Sequence, residues 1–242
     1  MTDLAKSSGT LRRVYGALLL VPVVALVWFD QMAAGVILAC LGCLMGLEIK
    51  RITGLPLVAG LFVLALISVQ SFPHWMLGLA FTMNVGLALM GFGLVAAIIV
   101  GIFSSRLAGL FVGLLCLCLA SGGLLVSQPY GHIMLVALAA IIAACDSAAY
   151  FVGRKIGGPK LWPRVSPNKT ISGSVGGLVA AMAITSLVAS VFGIDDLIDA
   201  MIMGVVIGGL SQAGDLMESA VKRKLDVKDS GAILPGHGGM LD

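Results

Sequence analysis

Apolar residues in this chain come in long unbroken runs rather than alternating with polar ones. Runs close to the roughly 20 residues that a bilayer core requires recur almost from end to end, separated by short polar pieces. The pattern predicts eight transmembrane helices: Val14–Phe29, Met32–Leu47, Leu55–Val69, Trp75–Phe103, Leu107–Val126, His132–Val152, Val175–Phe192, and Leu197 to about Leu216. The fourth is overlong, follows Pro73 and contains Gly86, Gly91 and Gly93, so a tilt, a kink or a preceding interfacial turn is expected there. Arg12 and Arg13 precede the first run, which lacks a small-residue cleavage site, so a retained first helix is expected rather than a removed signal. The fold class expected is an all-α, polytopic helical bundle forming one integral membrane domain.

Composition supports this reading. Hydrophobic residues make up 59% of the 242 positions and charged residues 11%, against about 25% charged in soluble domains. The mean hydropathy is +1.08. No segment is left over for a separate soluble domain, so any chemistry must use loop residues, helix ends, or polar groups inside the bundle. The five cysteines, Cys40, Cys43, Cys116, Cys118 and Cys145, all lie in apolar stretches, where a thiol acts as a small hydrophobe. Cys40 and Cys43 have a C-x-x-C spacing, but no second pair or nearby histidine completes a metal set. Most of the 32 glycines are read as packing residues that let helices approach closely. Gly173, Gly176 and Gly177 could also form a phosphate-cradling turn at a helix start, though no P-loop ending accompanies them.

The net charge of +3 is explained by topology rather than nucleic acid. With the N-terminus in the cytoplasm, all fifteen lysines and arginines fall on the cytoplasmic side, while Asp30, His74, Asp195, Asp196 and Asp199 fall opposite. The two long polar segments, 153–174 and 217–242, then share the cytoplasmic face and can meet in one site.

Within the apolar frame, a few polar groups call for an explanation. Asp146 lies about two turns inside the sixth span, where a carboxylate costs roughly 2.5 to 3.5 kcal/mol and needs a cavity or a partner. If the eighth helix continues past Leu216, Asp215, Ser219 and Lys222 share one face at i, i+4 and i+7. Glu218 and Lys224 are expected to be solvated residues of a charged helix end. The closing stretch Lys228–Asp242 has glycines at 231, 236, 238 and 239, suited to close approach of backbone to a ligand, with Pro235 stiffening the turn. Asp215, Asp229 and Asp242 are hard oxygen ligands of the kind Mg²⁺ uses beside substrate phosphates, and lysines and arginines supply counter-charge. These residues point to metal-assisted phosphoryl-type chemistry on an anionic substrate at the cytoplasmic surface.

Ser219-Ala220-Val221-Lys222-Arg223, followed by Lys228-Asp229-Ser230-Gly231 and Leu234-Pro235-Gly236-His237-Gly238-Gly239-Met240-Leu241-Asp242, resembles the signature of the phosphatidate cytidylyltransferases, or CDP-diglyceride synthetases. Asp146-Ser147-Ala148-Ala149-Tyr150 with Gly153-Arg154, Ser166-Pro167-Asn168-Lys169-Thr170, and Gly214-Asp215-Leu216 resemble other family blocks in the expected order. The resemblance covers residues 140–242 and leaves the first 130 as generic spans, which divides the chain into N-terminal helices (1–130) and a catalytic region (131–242). Where family members often carry a glutamate after the Lys-Thr pair, this chain has Ile171-Ser172, so no carboxylate is carried over there. The family pattern also continues past the last aspartate, usually into a closing hydrophobic helix, whereas this sequence stops at Asp242.

The resemblance implies attack by a phosphatidate phosphate on the α-phosphorus of CTP, giving CDP-diacylglycerol and pyrophosphate in phospholipid biosynthesis. It implies Asp215, Asp242 and Asp229 as ligands of Mg²⁺ or another divalent cation, or of two such ions. Lys169, Lys222, Arg223 and Lys228 would hold phosphates, Ser166 and Asn168 would contact nucleotide, and Asp146 would lie on the substrate side. Ser219, Gly238 and Gly239 would line the substrate site, and His237 would transfer a proton, bind phosphate or brace its turn. The implied partners are CTP, phosphatidate and membrane lipids, with a homodimer left open, in a bacterial inner membrane. Two alternatives remain at this point: a CTP-dependent polyprenol- or phytol-type lipid kinase, which would release CDP rather than pyrophosphate, and a transporter, which would carry polar residues through the full membrane depth.

Overall fold

The structure is a computed structural model and describes residues 21–55, 91, 93–126, 128–227, 229–231 and 239. Five helices among these are long and apolar enough to cross a membrane: α1 (Gln31–Thr53), α2 (Arg106–Val126), α3 (Gly131–Ile156), α4 (Ile171–Val191) and α5 (Leu197–Lys224). Residues 21–29 are also helical, and a shorter apolar helix, Gly93–Phe103, precedes α2. The third expected span and the first part of the fourth lie outside the described residues. The chain is an all-α membrane protein, in which the described residues add one small hairpin, β1 (Lys160–Trp162) and β2 (Ser166–Thr170).

The helix ends follow local chemistry. Asp30 caps α1 by accepting the Met32 N–H at 2.8 Å, and Gly54 closes the helix at φ +73° with its N–H on the Lys50 carbonyl. Thr170 caps α4 through the Gly173 N–H at 3.1 Å, and Asp196 accepts the Ile198 and Asp199 N–H groups at 3.1 Å each at the start of α5.

The chain forms two compact units. One contains the described residues of Met1–Leu135 and Lys224–Asp242, the other Val136–Arg223. In the first, the Gln31 side chain donates to the Val126 carbonyl at 2.7 Å, which sets the start of α1 beside the end of α2. The two helices are therefore antiparallel, and Lys50 and Arg51 lie at the same end of the pair as Arg106.

In the second unit α3, α4 and α5 alternate in direction and meet through small residues. A Cβ on Gly177 of α4 would come within 2.9 Å of the Cys145 carbonyl on α3. A Cβ on Gly204 of α5 would come 2.7 Å from the Met182 Cα, and one on Gly208 2.9 Å from the Ala181 Cβ. Ile141, Cys145 and Ala181 form the buried centre, with Ile184 and Ile207 packed against it. Outward-facing Leu187, Val191, Ile202 and Leu210 are 57% exposed or more, as suits side chains bathed by lipid rather than water.

This packing predicts opposite outcomes at adjacent positions. Gly208→Ala forces α4 and α5 apart and lowers the thermal midpoint in detergent. Gly209→Ala, which meets nothing within 4 Å, raises helix propensity by up to about 1 kcal/mol and leaves the midpoint unchanged or higher.

Candidate active site

The site grows from the turn between α3 and α4. α3 ends where Gly157 and Gly158 take φ of +67° and +101°, values costly for residues with a Cβ. The chain then folds into the antiparallel hairpin, pairing Lys160 with Thr170 and Trp162 with Ser166. The register slips between those pairs, on the stretch that contains Pro167, which has no N–H to give a ladder. The Ile171 N–H closes the hairpin base on the Pro159 carbonyl at 3.0 Å. Ser172 donates to the Gly157 carbonyl, tying the start of α4 to the end of α3. The two helices touch closely there: a Cβ on Gly173 would come 2.5 Å from the Ala149 carbonyl and 3.2 Å from the Gly153 Cα. Gly173, Gly176 and Gly177 are thus contact points between helices, and Gly173 also faces the site.

Below the hairpin lies a cavity of about 620 Å³. Asp146 and Arg154 come from α3, Lys160, Asn168 and Lys169 from the hairpin, Thr170 and Ser174 from the start of α4, and Gln212 and Asp215 from α5. Lys169 forms an ion pair with Asp215, and their side chains are 29% and 49% exposed. Asp146 lies within electrostatic range of both. Three cationic side chains and two carboxylates therefore line one chamber at the ends of apolar helices.

Gln212 was not singled out from the sequence, yet it organises the floor. Its amide donates to the Ser174 carbonyl at 3.0 Å and the Cys145 sulfur at 3.5 Å, while its carbonyl accepts the Ser174 hydroxyl. One side chain thus links all three helices. The available signal was a primary amide in an apolar run, three residues before Asp215.

The other sequence candidates are distributed as follows. α5 does continue, to Lys224, so Asp215, Ser219 and Lys222 share its face. Ser219, Lys222 and Arg223 lie beyond the cavity wall. Lys222 pairs with Glu218 at 2.7 Å, with side chains 14% and 16% exposed, so Glu218 is a largely enclosed ion-pair partner and not the solvated residue expected. Ser166 stands at the start of β2, outside the cavity lining. Asp229 is exposed and Gly239 buried, both in the first unit. Lys228, His237, Gly238 and Asp242 lie outside the described residues. Among the described residues no three metal-ligating side chains cluster. Asp146 and Asp215 still suit a hard divalent cation, which binds through one or two carboxylates and completes its shell with water and substrate phosphate.

The Cytidylyltransferase family profile matches residues 10–242. Proteins named phosphatidate cytidylyltransferase are similar to part of the chain. The one from Brucella suis biovar 1 (strain 1330) is 50% identical over 115 residues, 48% of this chain and 43% of the relative. The one from Bacillus subtilis (strain 168) is 44% identical over 116 residues, 48% of this chain and 43% of the relative. The one from Staphylococcus aureus (strain COL) is 45% identical over 105 residues, 42% of this chain and 40% of the relative. The matched stretch thus spans less than half the length of these relatives. Since the family profile covers nearly the whole sequence, from residue 10 to residue 242, the chain belongs to the Cytidylyltransferase family.

Proposed function

We propose that the chain transfers the cytidylyl group of CTP to phosphatidate, forming CDP-diacylglycerol and releasing pyrophosphate. The observation that carries this reading is the convergence of Lys169, Asp215 and Asp146 in one cavity of the Val136–Arg223 unit, between a basic hairpin and apolar helices. Family membership and the names of the relatives point the same way.

In the transfer, a phosphatidate oxygen bonds to the α-phosphorus of CTP while the bond to the departing pyrophosphate breaks. Both reactants bring their own phosphates, so no nucleophilic side chain is required, and catalysis consists of alignment and charge neutralisation. Lys169, Lys160 and Arg154 neutralise phosphate oxygens at the hairpin side. The start of α4 adds the positive end of its backbone dipole there. Asn168 and Ser174 orient polar groups of the substrate, and Gln212 keeps Ser174 in place. Asp215 and Asp146 would hold Mg²⁺ or another divalent cation, or two, which when bound supplies positive charge to the polyphosphate. On the resemblance alone, Asp229 and Asp242 are further ligands, Ser166 contacts nucleotide, Lys222, Arg223 and Lys228 bind phosphate, and Ser219, His237, Gly238 and Gly239 contribute from the signature.

A bacterial inner-membrane location is supported by the basic residues at the same end of the α1–α2 pair and at the cavity end of α3 and α4. Each of these basic ends, taken by itself, faces the cytoplasm under the positive-inside rule, and acyl chains stay between helices in the bilayer.

Purified protein given CTP labelled at the α-phosphate, phosphatidate and Mg²⁺ is expected to yield labelled CDP-lipid and one pyrophosphate per turnover. Labelled CDP with a phosphorylated alcohol would instead identify a lipid kinase and end this reading.

A further inference from the structure

The N-terminal helices contain one carboxylate that anchoring in a membrane does not account for. Glu48, in the last turns of α1, is 3% exposed. A carboxylate so enclosed is sustained only by groups that donate to it. One donor is the Ser230 hydroxyl, at 2.8 Å from Glu48 Oε2 across a sequence separation of 182 residues. Ser230 is itself 1% exposed.

Ser230 and Gly231 open the glycine-rich part of the C-terminal signature, and Gly239 stands near its close. Both glycines press on the same carboxylate. A Cβ on Gly231 would come 2.5 Å from Glu48 Oε1 and 3.2 Å from the Gly239 Cα. A Cβ on Gly239 would also come 2.5 Å from Glu48 Oε1, and 2.6 Å from the Gly231 nitrogen. The two ends of residues 231–239 therefore meet over one buried oxygen, where neither has room for a methyl group. All four residues belong to the same compact unit.

We infer that Glu48 is a positioning residue, a buried post on α1 that accepts the Ser230 hydroxyl and holds Gly231 against Gly239. The contribution of Glu48 to turnover rests on the cytidylyl-transfer reading above, while the clamp itself does not.

The experiment uses the full chain in detergent micelles and the variants Glu48→Ala, Glu48→Gln, Ser230→Ala and the Glu48→Ala/Ser230→Ala double. Loss of a buried hydrogen-bonded partner is expected to lower kcat about tenfold in each alanine single variant, with KM for CTP much less affected. The double variant is expected to be no slower than the worse single, because both remove one interaction. Glu48→Gln, which still accepts the hydroxyl, recovers most of the loss. Tryptic cleavage after Lys228 accelerates in both alanine single variants and not in Glu48→Gln. If Glu48→Ala does not fold, Ser230→Ala carries both readouts.

Unchanged kcat in the alanine variants of an active protein overturns the inference, as do multiplying losses in the double or no rescue by glutamine. If the wild-type chain transfers no cytidylyl group, the functional reading fails by itself and cleavage after Lys228 decides the clamp: acceleration upholds it and an unchanged rate overturns it.

Discussion

Asp215→Asn is expected to lower the proposed CTP-dependent turnover by on the order of a thousandfold, the scale reached when one well-placed electrostatic group is lost from a reaction governed by charge stabilisation. The amide keeps the shape of the side chain but loses the charge that pairs with Lys169 and that a divalent cation would use. The same substitution leaves folding and membrane insertion nearly intact. The Lys169–Asp215 pair is partly open to solvent, at 29% and 49% side-chain exposure, and ion pairs of that kind contribute about 0–1 kcal/mol. Turnover and thermal midpoint measured on one preparation separate the two effects. Wild-type turnover in the variant would remove Asp215 from the proposed machinery.

Gly173→Leu is expected to fail differently, losing stability and activity together. Its Cβ would start 2.5 Å from the Ala149 carbonyl and 3.2 Å from the Gly153 Cα. Both are backbone atoms, which cannot move aside as a flexible side chain could. α3 and α4 must separate, at a cost of about 1–3 kcal/mol or more for an overpacked contact. The separation opens at the cavity wall, so the ends carrying Asp146 and Thr170 drift apart. A lowered thermal midpoint accompanied by lost turnover is the expected result, and an unchanged midpoint would show that the helices are not in contact there.

Much of the helical frame was legible because long apolar runs encode it directly. α2, α3 and α4 begin and end within about four residues of the expected spans, and α5 starts at Leu197 as expected. Its extension to Lys224 was readable only conditionally, since Met217–Lys224 is too polar for a span yet keeps helical spacing. The hairpin was not legible. Each strand is too short for an alternating pattern, and Pro163 and Pro167 argue against strand in any local reading.

In the cavity, the sequence marked Asp146, Asn168, Lys169 and Asp215 as chemically suggestive but gave no sign that Lys169 pairs with Asp215, 46 positions away. Gln212 and Glu48 were passed over for the same physical reason. Each does its work through a contact between distant parts of the chain, Gln212 with Ser174 and Glu48 with Ser230. Local periodicity records which face a residue occupies, and it does not record what that face meets.

The junction of α3 and α4 bears on what a ligand must bring with it. Where Ser172 ties them together, a helix that is finishing meets one that is starting, so opposite ends of two backbone dipoles border a single chamber. The start of α4, with Lys169 and Lys160 beside it, is the electropositive pole. Arg154 and Lys155 offset the negative end of α3, so the negative charge of the chamber rests on Asp146 and on Asp215, the latter paired with Lys169. Drawing Lys169 toward an anionic ligand would leave Asp215 in want of another cation, so anion and cation are expected to enter the chamber as a pair.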